Sequence, residues 1–221
     1  MTPNQAETKL RARSKRLMQF PQQSAPHVVG KAVLDSVKAI ERYSKDLPRD
    51  QTKTAAARQL AQARFESKAY DHAMKTVSRQ LDFTGKALVA MQDRIEAAKK
   101  PTGSQDAIIL SLTANQLKGV DRKAAFNMAK ENKDICRALL SNPILRHEFN
   151  IQGKSEQILE DALTGMVLNP DELERLSTLR LETQTLLDMD DALEALGRQA
   201  SGAVERIESG QAKEPELPGA A

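Results

Sequence analysis

From Ala56 to Ala98 the chain carries an unbroken series of positions spaced alternately four and three residues apart: Ala56, Leu60, Ala63, Ser67, Tyr70, Met74, Val77, Leu81, Thr84, Leu88, Met91, Ile95 and Ala98. Eleven of these thirteen are apolar. Strand side chains alternate with a period of two, so only one face of a continuous helix produces this spacing. At a rise of ~1.5 Å per residue the stripe is about 63 Å long, more than a compact domain can cover with a short neighbour, and it therefore predicts long partner helices. Small residues on one side of the stripe, with Ala57, Ala73 and Ala87 flanking it, favour burial among several antiparallel neighbours over a parallel two-stranded coil.

The core available to such helices is aliphatic. Aromatic residues make up 3% of the 221, with no Trp, which suits close helix packing and suits sheet sandwiches poorly. The expected fold is all-α: an elongated helical bundle with two long heptad-patterned helices and a compact middle group of shorter ones. The single cysteine, Cys136, lies in the apolar stretch Asp134–Leu140 and reads as a buried, inert thiol, with no disulfide to be made inside the chain.

Charge divides the chain. Residues 1–23 carry a net +4, residues 24–100 +6, residues 101–168 zero, and residues 169–221 −7. A basic first half and an acidic last quarter either hold the long helices together or steer one chain onto another.

Five segments are expected. Residues 1–23 form a basic flexible arm carrying Lys9, Arg11, Arg13, Lys15 and Arg16, ended at Pro21. Residues 24–100 form a helical hairpin: a helix over 26–46, patterned at Val29, Val33, Ser36, Ile40, Tyr43 and Leu47 and stopped by Pro48, then the long helix, with Asp50 as its N-cap and Pro101 as its stop. Residues 101–168 form a compact short-helix segment. In it Ser104 caps a helix through Leu117, Asp121 caps one through Leu140, Asn142-Pro143 opens a short turn, and Ser155 begins the last helix. Apolar residues cluster on broad faces there, so this segment is expected to hold the densest core. Residues 169–208 form a long acidic helix opened by the capping box Asn169-Pro170-Asp171-Glu172. Its stripe reads Leu176, Leu179, Thr183, Leu186, Met189, Leu193, Leu196, Ala200, Ala203 and Ile207, with one irregular three-three step near Met189. Residues 209–221, mixing Gly, Pro and charge, are expected to be a disordered tail.

No motif for catalysis or cofactor binding accompanies this architecture. His27, His72 and His147 are isolated, no Gly-rich phosphate loop occurs, and Asp188, Asp190, Asp191 and Glu194 point different ways around a helix. The expectation is no enzyme, no metal and no cofactor. Nor is there an apolar run of the length a membrane-crossing helix needs, so a soluble protein of the cytoplasm or of a virion is expected.

The candidate residues fall into two sets. The helix-packing set comprises Leu60, Tyr70, Met74, Val77, Leu81, Leu88, Met91 and Ile95 on the first stripe and Leu176, Leu179, Leu186, Leu193 and Leu196 on the second. Because such stripes exceed what a compact chain can cover, part of each is expected to project and to pack on further copies or a larger complex. The chain is thus expected to be a non-enzymatic structural or assembly (scaffold-like) protein. A basic arm, long Ala-rich helices, few aromatics and an acidic end resemble, in composition along the whole chain, many bacteriophage head-assembly and internal virion proteins. The second set, Lys9, Arg11, Arg13, Lys15 and Arg16 with the basic face of the long helix (Arg58, Arg64, Lys68, Lys75, Arg79), supports an alternative: sequence-nonspecific nucleic-acid binding through phosphate contacts.

Overall fold

The computed structural model describes residues 3–49 and 52–210, and the described residues are all-α, with nine helices and no strand. In chain order they are α1 (Pro3–Leu17), α2 (Ala25–Asp46), α3 (Ala55–Lys99), α4 (Ser104–Gln116), α5 (Arg122–Glu131), α6 (Lys133–Ser141), α7 (Pro143–Glu148), α8 (Lys154–Val167) and α9 (Pro170–Glu208). The chain divides into two compact units, one built from Met1–Gly85 with Leu181–Ala221 and the other from Lys86–Arg180. Both long helices contribute to each.

The first unit packs α1, α2, the first part of α3 and the last part of α9 around one core. Leu10, Leu17, Val29, Val33, Val37, Tyr70, Ala73, Val77, Leu186 and Leu193 are all buried in it. Residues 3–17, expected to be part of a flexible arm, form a helix instead, because Leu10, Ser14 and Leu17 recur at four and three and give the segment a face to bury. That narrow stripe was masked by the surrounding cations. Two features let α1 approach α2 closely. Ser14 is fully buried, its hydroxyl donating to the Leu10 carbonyl at 2.8 Å, and Gly30 lies opposite it, where an added Cβ would stand 2.8 Å from both the Ser14 carbonyl oxygen and the Leu17 Cβ. His27 fastens the turn between these helices, its Nδ1 lying 3.2 and 3.1 Å from the carbonyls of Met18 and Phe20.

With α1 in place, the apolar stripes are covered largely by their own chain, and the expected projecting seam is not what the described residues form. On the first stripe Ala63, Tyr70, Val77, Thr84, Met91 and Ile95 are buried, Leu60, Met74, Leu81 and Leu88 are half-buried, and only Ala56 is exposed. On the second, the seam runs through Glu182 rather than Thr183, which moves the three-three step from 183–189 back to 176–182: Glu182 is 9% exposed, and Leu176, Leu179, Leu186 and Met189 are buried with it. The irregular step expected near Met189 was misplaced by passing over a charged residue in a core position. Burial without a facing cation pushes the Glu182 carboxyl above its ordinary range. Its ionised form therefore works against folding above that raised value, and the penalty disappears on acidification below the unfolded one.

The charge split is used inside the chain. In the first unit the Arg13 guanidinium donates to the Asp188 carbonyl at 3.2 Å and Arg64 pairs with Glu208 at 2.6 Å. In the second, Arg94 meets Glu172 and Lys99 meets Glu160, each at 2.6 Å.

The second unit collects the last part of α3, the helices α4 to α8 and the first part of α9. Its larger core is Leu117, Ala125, Ala129, Cys136, Leu139, Phe149, Leu159, Leu163 and their neighbours. Met91 and Ile95 pack with Leu168, Leu176 and Leu179 in a smaller cluster. Side-chain caps set the boundaries. Asn169 accepts from the Glu172 amide at 2.9 Å while the Glu172 carboxylate accepts from the Asn169 amide at 3.1 Å, the reciprocal box that opens α9.

Three other caps differ from expectation. Asp121 caps α5, but the helix stops at Asn132, which adopts extended angles and caps α6 with its own side chain, so residues 121–140 are two helices. Ser104 is the first residue of α4 rather than its cap; at that end the Thr102 amide donates to the Asp106 carboxylate at 2.8 Å. Thr54 accepts from the Ala57 amide at 3.2 Å and opens α3. Asp50, the expected cap, lies outside the described residues, as do residues 211–221 of the expected tail.

Candidate functional site

One surface that the folding of the second unit leaves uncovered is a face of α4, alongside the separately exposed Val89, Met128 and Ile144. The helix carries apolar residues almost all round its axis, and a helix can turn only part of its circumference to one core. Leu110 and Leu117, with Thr113, occupy the buried side. Ile108 and Leu112, one turn apart, point the opposite way and are 59% and 57% exposed, and Ile109 beside them is 41% exposed. The segment 101–168 was expected to hold the densest core, yet it turns these three outward, because the buried arc of α4 is filled by residues 110, 113 and 117.

The rest of that face is uncharged. Ser104, Gln105, Ser111, Asn115 and Gln116 flank the aliphatic residues, and the one ionisable side chain of α4, Asp106, is turned away into a buried ion pair. Arg137 of α6, 6% exposed, grips both Asp106 oxygens at 2.9 and 2.6 Å, donates to the Lys100 carbonyl at 2.9 Å and reaches Asp134 at 3.4 Å. The Arg137 guanidinium, aided by the Thr102 amide, holds the Asp106 carboxyl well below the usual carboxylate range. One buried arginine thus ties the end of α3 and the first turn of α4 to α6. It fixes the helix that presents Ile108 and Leu112.

The sequence-predicted sets are placed as follows. All thirteen helix-packing residues lie in α3 or α9; Tyr70, Val77, Leu186, Leu193 and Leu196 come together in the core of the first unit, and Met91, Ile95, Leu176 and Leu179 in the smaller cluster of the second, so these nine pack within the chain. Met74 and Leu81 border the first of these cores, Leu88 borders the small cluster, and Leu60 is half-buried. Of the basic set, Arg11 is committed to Glu7 at 2.8 Å and to Glu41, and Arg13 to the Asp188 carbonyl, while Lys9, Lys15 and Arg16 are exposed. The five cations fall on two sides of α1, Lys9, Arg13 and Arg16 on one and Arg11 and Lys15 on the other.

Several hollows lie in the first unit, and two of them are the larger. One, of about 860 Å³, is walled by Glu7, Arg11, Glu41, Lys45, Glu66 and Arg206 around Tyr70, whose phenol is pushed up by burial. Arg11 pairs within it with Glu7 and Glu41, and Glu66 accepts from Gln62 at 2.6 Å, so its charges largely answer one another. The other is an open groove between α2 and α3. Among the described residues no three His, Cys, Asp or Glu side chains gather to hold a metal, and no helix is long and apolar enough to cross a membrane.

Sequence reasoning gave a helix through Leu117 in a segment with broad apolar faces, but not the direction of those faces. The signal was present in the spacing: 108 and 112 stand half a turn away from 110, 113 and 117. Arg137 was not singled out at all, since a lone arginine in an apolar stretch has no motif. No family model matches the sequence, and no curated protein or solved structure matches it.

Proposed function

We propose that this chain is a non-enzymatic helical assembly protein that associates with copies of itself through the outer face of α4. The observation that carries the reading is the pairing of two exposed aliphatic residues one turn apart, Ile108 and Leu112, with the absence of any charged side chain on the outer side of α4. In a chain with 29% charged residues, a solvent-facing helix side without a single ion leaves the desolvation of a docking partner cheap. An uncharged patch also has no field with which to repel its own copy, which favours a two-fold, self-complementary contact.

Size sets the strength. On each of the two copies, covering what remains exposed on Ile108, Ile109 and Leu112 contributes about 3 kcal/mol, about 6 kcal/mol in all before the cost of association, against roughly 20–30 residues per side in a stable interface. A single α4 contact is therefore weak, with a dissociation constant of about 0.1–1 mM, and becomes effective where many copies are held together. That behaviour suits a scaffold or virion component, the setting to which the composition is similar.

Light scattering coupled to size exclusion over a range of protein concentrations tests the reading. The mean mass is expected to rise with concentration, and the double substitution Ile108→Lys with Leu112→Lys is expected to hold the chain at monomer mass with unchanged helicity. A chain that stays monomeric at about 1 mM, or a double variant that associates as before, would remove the proposal.

A further inference from the structure

The groove between α2 and α3 lies wholly in the first unit and has a volume of about 1060 Å³. Its floor is apolar, formed by Val28, Ala32 and Ala39 of α2 and Phe65 and Ala69 of α3. Lys31 on one wall and Lys68 on the other stand at its edges with His27 and His72, and Asp35 is the one carboxylate among the lining residues. The positive edge continues along α3. Lys68, His72, Lys75 and Arg79, at spacings of four, three and four, share one exposed side of that helix.

We propose that this groove receives an acidic amphipathic helix of a partner protein. A groove of this volume has room for about two turns of a helix ~10 Å across with a pitch of ~5.4 Å. The floor asks for aliphatic side chains at helical spacing, and the lysines on both walls ask for carboxylates on the flanks of that same helix. A nucleic-acid backbone would satisfy the cations but would leave Phe65 and the alanines facing phosphate and sugar, so the apolar floor decides between the two. A second copy of this chain is a poor occupant, because its acidic helix α9 already buries Leu186, Met189, Leu193 and Leu196 in its own core. The surface is separate from the α4 face and stands or falls independently of it.

The test uses the full chain and two synthetic helices of about 18 residues. Each carries Leu on one face at i, i+3, i+4 and i+7, with Glu at the remaining positions in one and Lys in the other. Fluorescence anisotropy of the labelled peptides is expected to show the Glu helix binding at least about tenfold more tightly than the Lys helix, with the advantage shrinking at high salt. The double variant Lys31→Glu with Lys68→Glu, at exposed positions and checked for unchanged circular dichroism, is expected to reverse the preference. Equal binding of the two peptides, or a variant that binds like the parent, overturns the proposal. So does a DNA duplex that binds more tightly than the Glu helix and is lost in the same variant, which would assign the surface to phosphates.

Discussion

Leu10→Ala is expected to destabilise the first unit by about 2–5 kcal/mol, the range for emptying a fully buried leucine site. Leu10 is 1% exposed in the middle of a segment so rich in cations that it reads as a solvated arm. If α1 were only such an arm, truncating one of its side chains would cost next to nothing, as Lys9→Ala on the exposed side of the same helix should, within about 0.5 kcal/mol. Urea unfolding followed by circular dichroism separates the two outcomes. Gly30→Ala supplies an independent check from the facing helix. Its new methyl group would press on the Ser14 carbonyl, a backbone atom that cannot swing aside, so a substitution that normally favours helix is here expected to lower stability. Leu10→Ala behaving like Lys9→Ala, with a neutral Gly30→Ala, would show that α1 does not belong to the core.

Arg137→Ala is the second large effect, expected to cost the second unit about 2–3 kcal/mol, since charge-assisted hydrogen bonds to Asp106 and to the Lys100 carbonyl are lost together. Arg137→Lys is expected to recover only part of this, because an ammonium cannot hold both carboxylate oxygens in the parallel manner of a guanidinium. The pH dependence has a definite sign. Asp106 titrates well below its ordinary range in the folded chain, so the pair contributes fully above the unfolded carboxyl value near ~3.9 and progressively less as pH falls below it. The stability gap between the parent and Arg137→Ala should accordingly be constant near neutrality and close in strong acid. A gap that stayed constant into strong acid would mean that Arg137 acts through packing alone. Loss of the pin should also weaken self-association, by loosening α4.

These two cases mark where the sequence was legible and where it was not. Long-range periodicity was readable because it repeats. The α3 stripe, the stop at Pro48 and the Asn169 capping box each rest on several residues at fixed offsets, and the helices they predict are present. Single residues were harder. Glu182 occupies a seam position that polarity argues against, and only the packed helices show that the alternation passes through it. Asn132 breaks a helix that periodicity would continue to Leu140, because a local side-chain cap outweighs the pattern. The broad apolar faces of segment 101–168 were readable, but not which of them α4 turns outward, since the direction of a helix that is apolar nearly all round is set by its neighbours.

The thiol of Cys136 gives the second unit a reporter of its own motion. It is fully buried, donates to the Leu159 carbonyl at 3.2 Å, and is pushed up to about 11 by desolvation, so in the closed state it offers alkylating reagents neither access nor thiolate. Because no other cysteine exists in the chain, the rate at which iodoacetamide marks the protein measures how often that core opens, residue by residue unambiguous and without any engineered label.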